Sequence, residues 1–432
     1  MGVKKEPLTP SDLAGNGILV AKIDSNGRFK TTGDAYINGE KYSDALLHGD
    51  LVISLKPGSY TLETIGYSYQ TSTSNKSEGY PVNLSFTIKQ GRVTNLGQIF
   101  AYYKSFSDKQ YKLYTIDNSP QAAEYLKQEQ PAIYLLVRKN KIMLAKGKYL
   151  SKGDTNKLRK LIAYSSAIET LSKDVRIVYG ELGTVASVIR NKNNQIKDFK
   201  LIETGTLDEI SYCSENSVNY ACVVPNGINR KILAGKIGGK YKLTDMPGEL
   251  NNVKIQLSGK NDIVLVDNYL KLYESNNDGK TFSVNTEFTR TEPVQNMGWI
   301  NFYNSKKGFY LTVFSHSKSE NLIIFKPQST KASFISIPLP KEVGRVRELN
   351  ETKNNLIMGA YPGSFSSSEV YYLKHGSNNW KEVTVPTRSC NKIDVLNYAA
   401  GKLKMKCGYS QTLQNYISND SGASWNVISG VR

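Results

Sequence analysis

The sequence predicts an all-β protein with a small β-sandwich over 14–104, a linker with a short helix over 105–131, and a repeated sheet unit over 132–432. Three observations support this prediction. Short apolar or alternating runs such as 263–266 recur between polar turns, as strands do. A polar octapeptide occurs twice, which indicates a repeated unit. The chain also contains 28 tyrosines and abundant glycine, a composition that favours strands.

The two octapeptides cover 275–282 and 418–425 and share a serine, a glycine and a final aromatic residue. In each copy an Asx side chain can bind backbone amides further along, while the glycine takes the positive φ that closes a turn. The aromatic residue then starts the next strand. The residues to which we assign this structural role are Ser275, Asn277, Gly279, Thr281, Phe282, Ser418, Asp420, Gly422, Ser424 and Trp425.

The octapeptide resembles the Asp-box, also called the BNR repeat, whose pattern is Ser-x-Asp-x-Gly-x-Thr-Trp. The later copy departs from this pattern only at Ser424, whereas the earlier copy has Asn277 for aspartate and Phe282 for tryptophan. In proteins that carry the motif, it joins the outer two strands of a β-propeller blade. The resemblance therefore implies a propeller over 132–432.

The spacing of aromatic residues also predicts blades. Polar turns followed by an aromatic residue occur at Phe199, Tyr241, Phe334 and Trp380. Together with the two octapeptides they recur every 40 to 50 residues or so, roughly the length of a four-stranded blade. These six positions predict at least six blades, and a strand over 133–137 would supply a seventh, so both numbers stay open. A β-sandwich or a β-helix also uses short strands, but neither has so long a repeat.

The amino-terminal module has several short strands, which predict a small β-sandwich. Its segment 55–62 reads Leu-x-Pro-Gly-x-Tyr-x-Leu, with a tight turn at Pro57 and Gly58. This segment resembles the immunoglobulin-like or transthyretin-like modules of bacterial envelope lipoproteins. The resemblance implies a spacer or docking unit that carries no catalytic residues.

Two segments carry helix signals. Ser119 as an N-cap and Pro120 in the first turn predict a short helix in the linker. In 154–171, apolar residues fall near helical spacing after the cap signal of Asp154 and Thr155. The same segment could equally form two strands, and both interpretations stay open.

The four cysteines form two local couples, Cys213 with Cys222 and Cys390 with Cys407, each of which encloses a strand, a turn and a returning strand. Neither couple has the Cys-x-x-Cys spacing of a zinc or redox site, so we predict two hairpin disulfides. Disulfides indicate an oxidising compartment, and hence a periplasmic or outer-membrane-anchored protein. Four buried free thiols in a cytosolic protein are the alternative.

The start of the chain and its hydropathy bear on targeting. The polar segment 1–6 predicts that a leader, with or without a lipid anchor, was removed before this point. No run of eighteen apolar residues occurs, so the sequence predicts no transmembrane segment.

Positive charge is the clearest clue to a partner. The formal net charge is +18, and the residues up to Lys104 are nearly balanced, so the excess lies after them. Its densest part, 138–160, contains a single acid, Asp154, and predicts a surface that attracts an anionic macromolecule. Alternatively, these lysines are solvated and protect strand edges. The candidate binding residues are Arg138, Lys139, Lys141, Lys146, Lys148, Lys152, Lys157, Arg159 and Lys160.

The sequence predicts no catalytic residue, metal or cofactor. Asp-box propellers include the sialidases, but the nearest counterpart of their Phe-Arg-Ile-Pro string, 288–293, has the wrong composition. Lysine, which outnumbers arginine, lacks the planar fork that holds a carboxylate. The turn at Asp278 and Gly279 lacks the spacing of a calcium loop. The histidines, too few for a multi-histidine metal site, are His48, His316 and His375.

The sequence therefore predicts a non-enzymatic, extracytoplasmic binding protein whose basic propeller captures an anionic macromolecule, first of all a protein. A specific version is a periplasmic immunity protein that captures a secreted toxin. Acidic glycan and lipid headgroups are alternative partners, whereas nucleic acid is not expected, because no nucleic-acid motif occurs. Two other functions stay open: a sialidase-like propeller that binds or cleaves acidic polysaccharide, and an envelope assembly scaffold.

Overall fold

The computed structural model divides the chain into two compact units, Met1–Asn251 and Asn252–Arg432. Within the described residues, the first unit contains an amino-terminal sheet, helices and two further sheets, and the second unit contains four sheets. The described residues are 7–26, 33–47, 49–70, 75–104, 110–137, 142–169, 176–226, 229–248, 250, 253–257, 262–294, 297, 300–305, 308–313, 322–327, 333–340, 343, 345–361, 369–383, 390–407 and 414–428.

The strands of the amino-terminal part form one continuous sheet. They are β1 Gly17–Ser25, β2 Gly33–Ile37, β3 Glu40–Leu47, β4 Asp50–Leu55, β5 Gly58–Gln70, β6 Asn75–Ile88, β7 Val93–Tyr102, β8 Lys112–Ile116 and β9 Ile142–Leu144. Their order is β6-β5-β2-β3-β4-β1-β7-β8, and β9 pairs with β7. The last two strands come from residues that the sequence assigned to the linker and the propeller.

This sheet curls around a single core. Leu19, Ile37, Leu46, Leu62 and Ile99 come from five different strands and are almost completely buried in one cluster. β1 pairs antiparallel with β4 on one side and parallel with β7 on the other, so it joins the two halves of the sheet. The result is a nearly closed, barrel-like sheet, and the predicted two-sheet sandwich is not confirmed.

Helices cover the other face of this sheet near β1. They are α1 Pro10–Leu13, α2 Ser119–Glu129 and α3 Pro131–Val137. The helix predicted in the linker is therefore present, although its N-cap is Asn118. The strand predicted over 133–137 is wrong, because Ile133 and Val137 are buried one helical turn apart while Leu135 and Leu136 are exposed. A short apolar run does not distinguish a strand from a helix by its pattern.

The first two repeated sheets follow helix α4, Lys152–Glu169, which confirms the helical interpretation of the second ambiguous segment. One sheet has three strands: β10 Ile177–Gly180, β11 Thr184–Arg190 and β12 Ile196–Leu201. The other has four: β13 Tyr212–Glu215, β14 Asn219–Asn226, β15 Asn229–Lys236 and β16 Tyr241–Asp245.

The second unit contains four more sheets of four strands each. The third sheet is β17 Val253–Leu257, β18 Ile263–Asp267, β19 Leu272–Ser275 and β20 Ser283–Asn285. The fourth is β21 Ile300–Asn304, β22 Gly308–Val313, β23 Leu322–Pro327 and β24 Ile335–Ile337. The fifth is β25 Arg345–Glu351, β26 Asn355–Tyr361, β27 Glu369–Lys374 and β28 Lys381–Val383. The sixth is β29 Cys390–Asn397, β30 Lys402–Cys407, β31 Gln414–Ser418 and β32 Asn426–Ile428.

Each of these sheets is an antiparallel meander in chain order, which is the strand order of a propeller blade. The chain is all-β, and its successive sheets are the blades of a β-propeller, as predicted. The described residues form six of them, the smaller of the two predicted numbers. The predicted aromatic positions fall at or just before the fourth strand in five blades, whereas Phe199 lies within β12.

Neighbouring blades pack face to face through apolar side chains. Between the fourth and fifth blades, Ile323 lies in one cluster with Leu349 and Met358. Between the fifth and sixth blades, Ile357 lies in one cluster with Met405 and Tyr416. Burial of apolar area on this scale is the main stabilising contribution that a blade receives from its neighbour.

Disulfides connect strands within blades. Cys213 and Cys222 lie opposite each other in β13 and β14 and form a disulfide, as predicted. Cys407 is also disulfide-bonded, and the register of β29 and β30 places Cys390 directly opposite it. Among the described residues, no cysteine is free.

The later octapeptide forms a hydrogen-bonded turn between β31 and β32. The Ser418 hydroxyl donates to Asp420 Oδ1 at 2.8 Å, and the Gly422 amide donates to the Ser418 hydroxyl at 2.9 Å. Asp420 also accepts the Ser424 amide at 2.9 Å. Gly422 has a φ of +87°, which glycine adopts at little cost. The indole of Trp425 is buried and donates to the Gly422 carbonyl.

The earlier octapeptide forms the same turn between β19 and β20. The Gly279 amide donates to the Ser275 hydroxyl at 2.9 Å, and the Thr281 amide donates to Asn277 Oδ1 at 3.0 Å. Asn277 Nδ2 donates to the Thr281 hydroxyl at 2.8 Å, whereas in the later copy the serine hydroxyl donates to the aspartate. Phe282 is only half-buried. The structural role predicted for both octapeptides therefore agrees with their geometry.

Candidate functional site

The basic segment that the sequence singled out divides into three parts in the structure. Arg138, Lys139 and Lys141 lie outside the described residues. Of the other six positions, three lie within α4 and contact groups of the chain itself, and three, including the first residue of α4, are exposed. The segment is therefore not one continuous binding surface among the described residues.

Arg159 is a structural residue of the first blade. Its side chain is only 4% exposed, and Nη2 donates to the carbonyls of Gly183 at 2.7 Å and Ile202 at 3.0 Å. Burial lowers the pKa of this guanidinium, and the Glu203 carboxylate at 3.9 Å opposes that effect. Because both acceptors belong to turns beside the blade, Arg159 fixes α4 to the sheet and is not available to a partner.

Two further lysines of α4 are engaged in surface ion pairs. Lys157 Nζ lies 2.9 Å from Asp154 Oδ1, one turn earlier in the helix. Lys160 Nζ lies 2.8 Å from Asp198 Oδ1 of β12. These contacts lower the pKa of both carboxyl groups, Asp154 and Asp198. The two lysines are thus partly neutralised by carboxylates of the chain itself.

The remaining candidates, Lys146, Lys148 and Lys152, are exposed and form what we call the lysine segment. The backbone at Lys148 is fixed along β8, because the Thr115 hydroxyl donates to the Lys148 carbonyl at 2.6 Å and the Leu150 amide donates to the Thr115 carbonyl at 2.8 Å. Lys152 is the first residue of α4. A fixed backbone with outward lysines can present positive charge without an ordering cost for the chain.

A second group of exposed lysines, which our sequence analysis missed, lies on β30. Its sequence Lys-Leu-Lys-Met-Lys-Cys alternates charged and apolar residues, and Lys402, Lys404 and Lys406 share one face. Lys402 and Lys406 are exposed and Lys404 is half-buried. The two-residue period of charged and apolar residues is the signal in the sequence from which this face could have been predicted.

A polar cluster in the second unit contains the one histidine that the structure describes. His375 Nε2 lies 3.0 Å from the Thr352 carbonyl and 3.4 Å from Glu351 Oε1, and the Tyr310 hydroxyl donates to the same carboxylate oxygen at 3.3 Å. Burial, together with this carboxylate, raises the pKa of Tyr310. The cluster joins the fourth blade to the fifth. His48 and His316 lie outside the described residues.

The described part of the chain has neither a metal-binding cluster nor a membrane-spanning helix. No group of three or more histidine, cysteine, aspartate or glutamate side chains there has the arrangement of a metal site. In the same residues, no helix has both the length and the apolar character needed to cross a membrane.

Comparisons with known proteins find similarity among solved structures only. No family model matches it, and no curated protein matches its sequence. Among solved structures, it is similar to YCF48 bound to a D1 peptide, at 14% identity and a TM-score of 0.41, over 59% of this chain and 78% of that one. It is also similar to AztD from Citrobacter koseri, at 10% identity and a TM-score of 0.37, over 59% and 73% of the two chains.

A third similar structure is an enzyme, the GH74 xyloglucanase from Xanthomonas campestris, at 11% identity and a TM-score of 0.36, over 58% of this chain and 44% of that one. These values are too low to support any inference about function. The blade assignment rests on the strand order and hydrogen bonding of the chain itself.

Proposed function

We propose that this protein is a non-enzymatic binding protein that captures an anionic macromolecule, and specifically an acidic protein. The observation that carries the proposal is the net charge of +18, part of which is grouped in the exposed lysine segment. A field of one sign raises the rate of encounter with a partner of opposite sign and selects against partners of the same sign.

The finer form of the proposal is a periplasmic immunity protein that captures a secreted toxin. The Cys213–Cys222 disulfide supports an oxidising compartment. The shared hydrogen-bonding pattern of the two octapeptides supports their relation to the Asp-box of other propellers. The candidate toxin is a protein encoded beside this one, and coexpression of the two should restore the growth that the toxin alone prevents. Growth that stays inhibited would exclude that toxin as the partner.

Fluorescence anisotropy with labelled poly-L-glutamate tests the general proposal. We expect binding whose affinity falls as salt is raised, because exposed charges are screened. The variant K146Q/K148Q/K152Q should bind more weakly. A matched control, K56Q/K89Q/K127Q, removes the same charge from exposed lysines elsewhere in the first unit and should bind as the wild type does.

Other probes separate the alternative partners. Heparin represents acidic glycans, and vesicles that contain phosphatidylglycerol represent lipid headgroups. Tighter binding to either than to poly-L-glutamate would contradict a protein partner. Turnover of a sialylated or other anionic glycan would contradict the non-enzymatic role.

A further inference from the structure

The sixth blade differs from the other five in its second strand. In β11, β14, β18, β22 and β26 the described side chains are buried over most of the strand, on both faces of the blade. In β30 they alternate, with Leu403, Met405 and Cys407 fully buried and the three lysines between them facing the other way. Only one face of the sixth blade is therefore apolar.

The lysines of β30 lie in the middle of the sheet and not at its edge. The register places Asp394 of β29 and Ile417 of β31 on either side of Lys404, and Asn415 beside Lys406. We call this surface, formed by the three lysines of β30 together with Asp394, Asn415 and Ile417, the lysine face. Edge protection does not explain it, because β30 is paired on both sides and has no edge to protect.

The charge and spacing of the lysine face suit one kind of ligand. Alternate residues of a strand are roughly 7 Å apart, which is also the distance between side chains on one side of an extended peptide. Three lysines at that spacing can each meet a carboxylate of an extended acidic segment. Among its described residues the face has no aromatic side chain on which a nucleic acid base could stack, and its half-buried Ile417 suits contact with a polypeptide.

From these observations we infer that the lysine face of the sixth blade binds an extended acidic segment of a partner protein. This inference rests on the proposed function and assigns it a second surface, separate in sequence from the lysine segment. Asp394 lies opposite Lys404 and offsets part of its charge, so the exposed Lys402 and Lys406 contribute most of the attraction.

The test compares two charge-matched variants in the same unit. K402Q/K404Q/K406Q removes the lysines of the face, whereas K280Q/K374Q/K381Q removes exposed lysines from other strands and turns. The first variant should bind labelled poly-L-glutamate about tenfold more weakly at low salt, as expected when several exposed ion pairs are lost. The second variant should bind with an affinity within about twofold of that of the wild type, because it changes only the overall electrostatic field of the protein.

Lysine acetylation of the wild-type protein provides a readout that does not depend on how the variant folds. With poly-L-glutamate present, acetylation of Lys402 and Lys406, followed by mass spectrometry, should slow several-fold. The acetylation rate of the exposed Lys374 and Lys381 should not change. Unchanged acetylation of Lys402 and Lys406 would overturn the inference.

The outcomes also separate this inference from the proposed function. If the wild type does not bind poly-L-glutamate, both fail. If binding is lost in K146Q/K148Q/K152Q but not in K402Q/K404Q/K406Q, the proposed function stands and the lysine face has no part in it. Tighter binding of single-stranded DNA or anionic vesicles than of poly-L-glutamate at the lysine face would also contradict an acidic polypeptide as its ligand.

Discussion

The first and sixth blades each pack one face against a neighbouring blade, but their other faces differ. In the first blade the second face is apolar, and Val178, Ala186 and Phe199 pack against Ala163 and Ala167 of α4. In the sixth blade the second face is the lysine face, which no apolar cluster of the described residues covers. The chain covers one sheet with a helix and leaves the other polar.

This difference shows two ways to arrange the second face of a blade. A blade buries apolar side chains on both faces only when something apolar lies on each side of it. The first blade obtains its second partner from a helix of the same unit. The sixth blade instead places lysines in its second strand, so the face that they share is polar.

The largest expected effect tests the covered face of the first blade. Phe199 is 5% exposed and packs edge-to-face on Tyr164, so Phe199→Ala should lower the free energy of unfolding by about 3–5 kcal/mol. The counterpart on the lysine face, Ile417→Ala, should cost only about 1 kcal/mol because this side chain is half-buried. Urea denaturation of both variants measures the difference, and equal losses would contradict the contrast between the two faces.

Arg159 tests the attachment of α4 to the first blade. Arg159→Leu removes the guanidinium bond to the Ile202 carbonyl and leaves the Gly183 carbonyl with only the Thr204 hydroxyl as donor, so it should cost about 2–3 kcal/mol. Arg159→Lys keeps the charge but can restore only part of the hydrogen bonding, so its stability should lie between those of the wild type and the leucine variant. Thermal unfolding measures the stability of all three proteins. A leucine variant as stable as the wild type would show that Arg159 does not help to attach α4 to the first blade.

A half-buried carboxyl group, that of Asp24, tests how the first blade meets the amino-terminal sheet. Gln98 Nε2 donates to Asp24 at 3.3 Å and to the Leu207 carbonyl, which follows the first blade, at 3.3 Å. Burial raises the pKa of Asp24 to about 7, although the Ser25 amide, which donates to it, opposes this, and Glu181 raises it further.

Since the pKa of Asp24 is raised on folding, the stability that its protonated form contributes is present below about pH 4 and is lost as the pH rises through about 7. Asp24→Asn should therefore be more stable than the wild type at pH 8, by about 1–3 kcal/mol. Chemical denaturation should show that the difference in the free energy of unfolding between Asp24→Asn and the wild type is larger at pH 8 than at pH 5. A smaller difference at pH 8 would mean that Asp24 is ionised more easily in the folded protein than in the unfolded one.

The smallest expected effect concerns the turn of the sixth blade. Asp420 accepts three hydrogen bonds within its octapeptide, so Asp420→Ala should cost about 1–2 kcal/mol. Asn277→Ala in the third blade removes neutral hydrogen bonds and should cost about 1 kcal/mol or less. Equal losses in denaturation experiments would show that the negative charge of Asp420 adds nothing to its turn.

Much of the candidate site was predictable, but its division was not. The sequence located the excess of positive charge, and three of the nine chosen residues form the exposed lysine segment. It did not separate them from Arg159, because a buried and an exposed cation look the same in a charge count. The lysine face was not predicted, because its three lysines alternate with apolar residues along a strand and do not form a continuous basic run.

The sequence by itself determined what depends on neighbours along the chain: the two octapeptide turns, the Cys213–Cys222 hairpin, and the meander of each blade. Their hydrogen bonds lie within one turn or join strands that follow each other directly along the chain, so the residue types of one short segment are sufficient. Only the tertiary structure decided that 133–137 is helical, that β1 joins both halves of one amino-terminal sheet, and that α4 packs on one face of the first blade. Those outcomes depend on partners far away in sequence, since an apolar or charged side chain acquires its role from what packs against it.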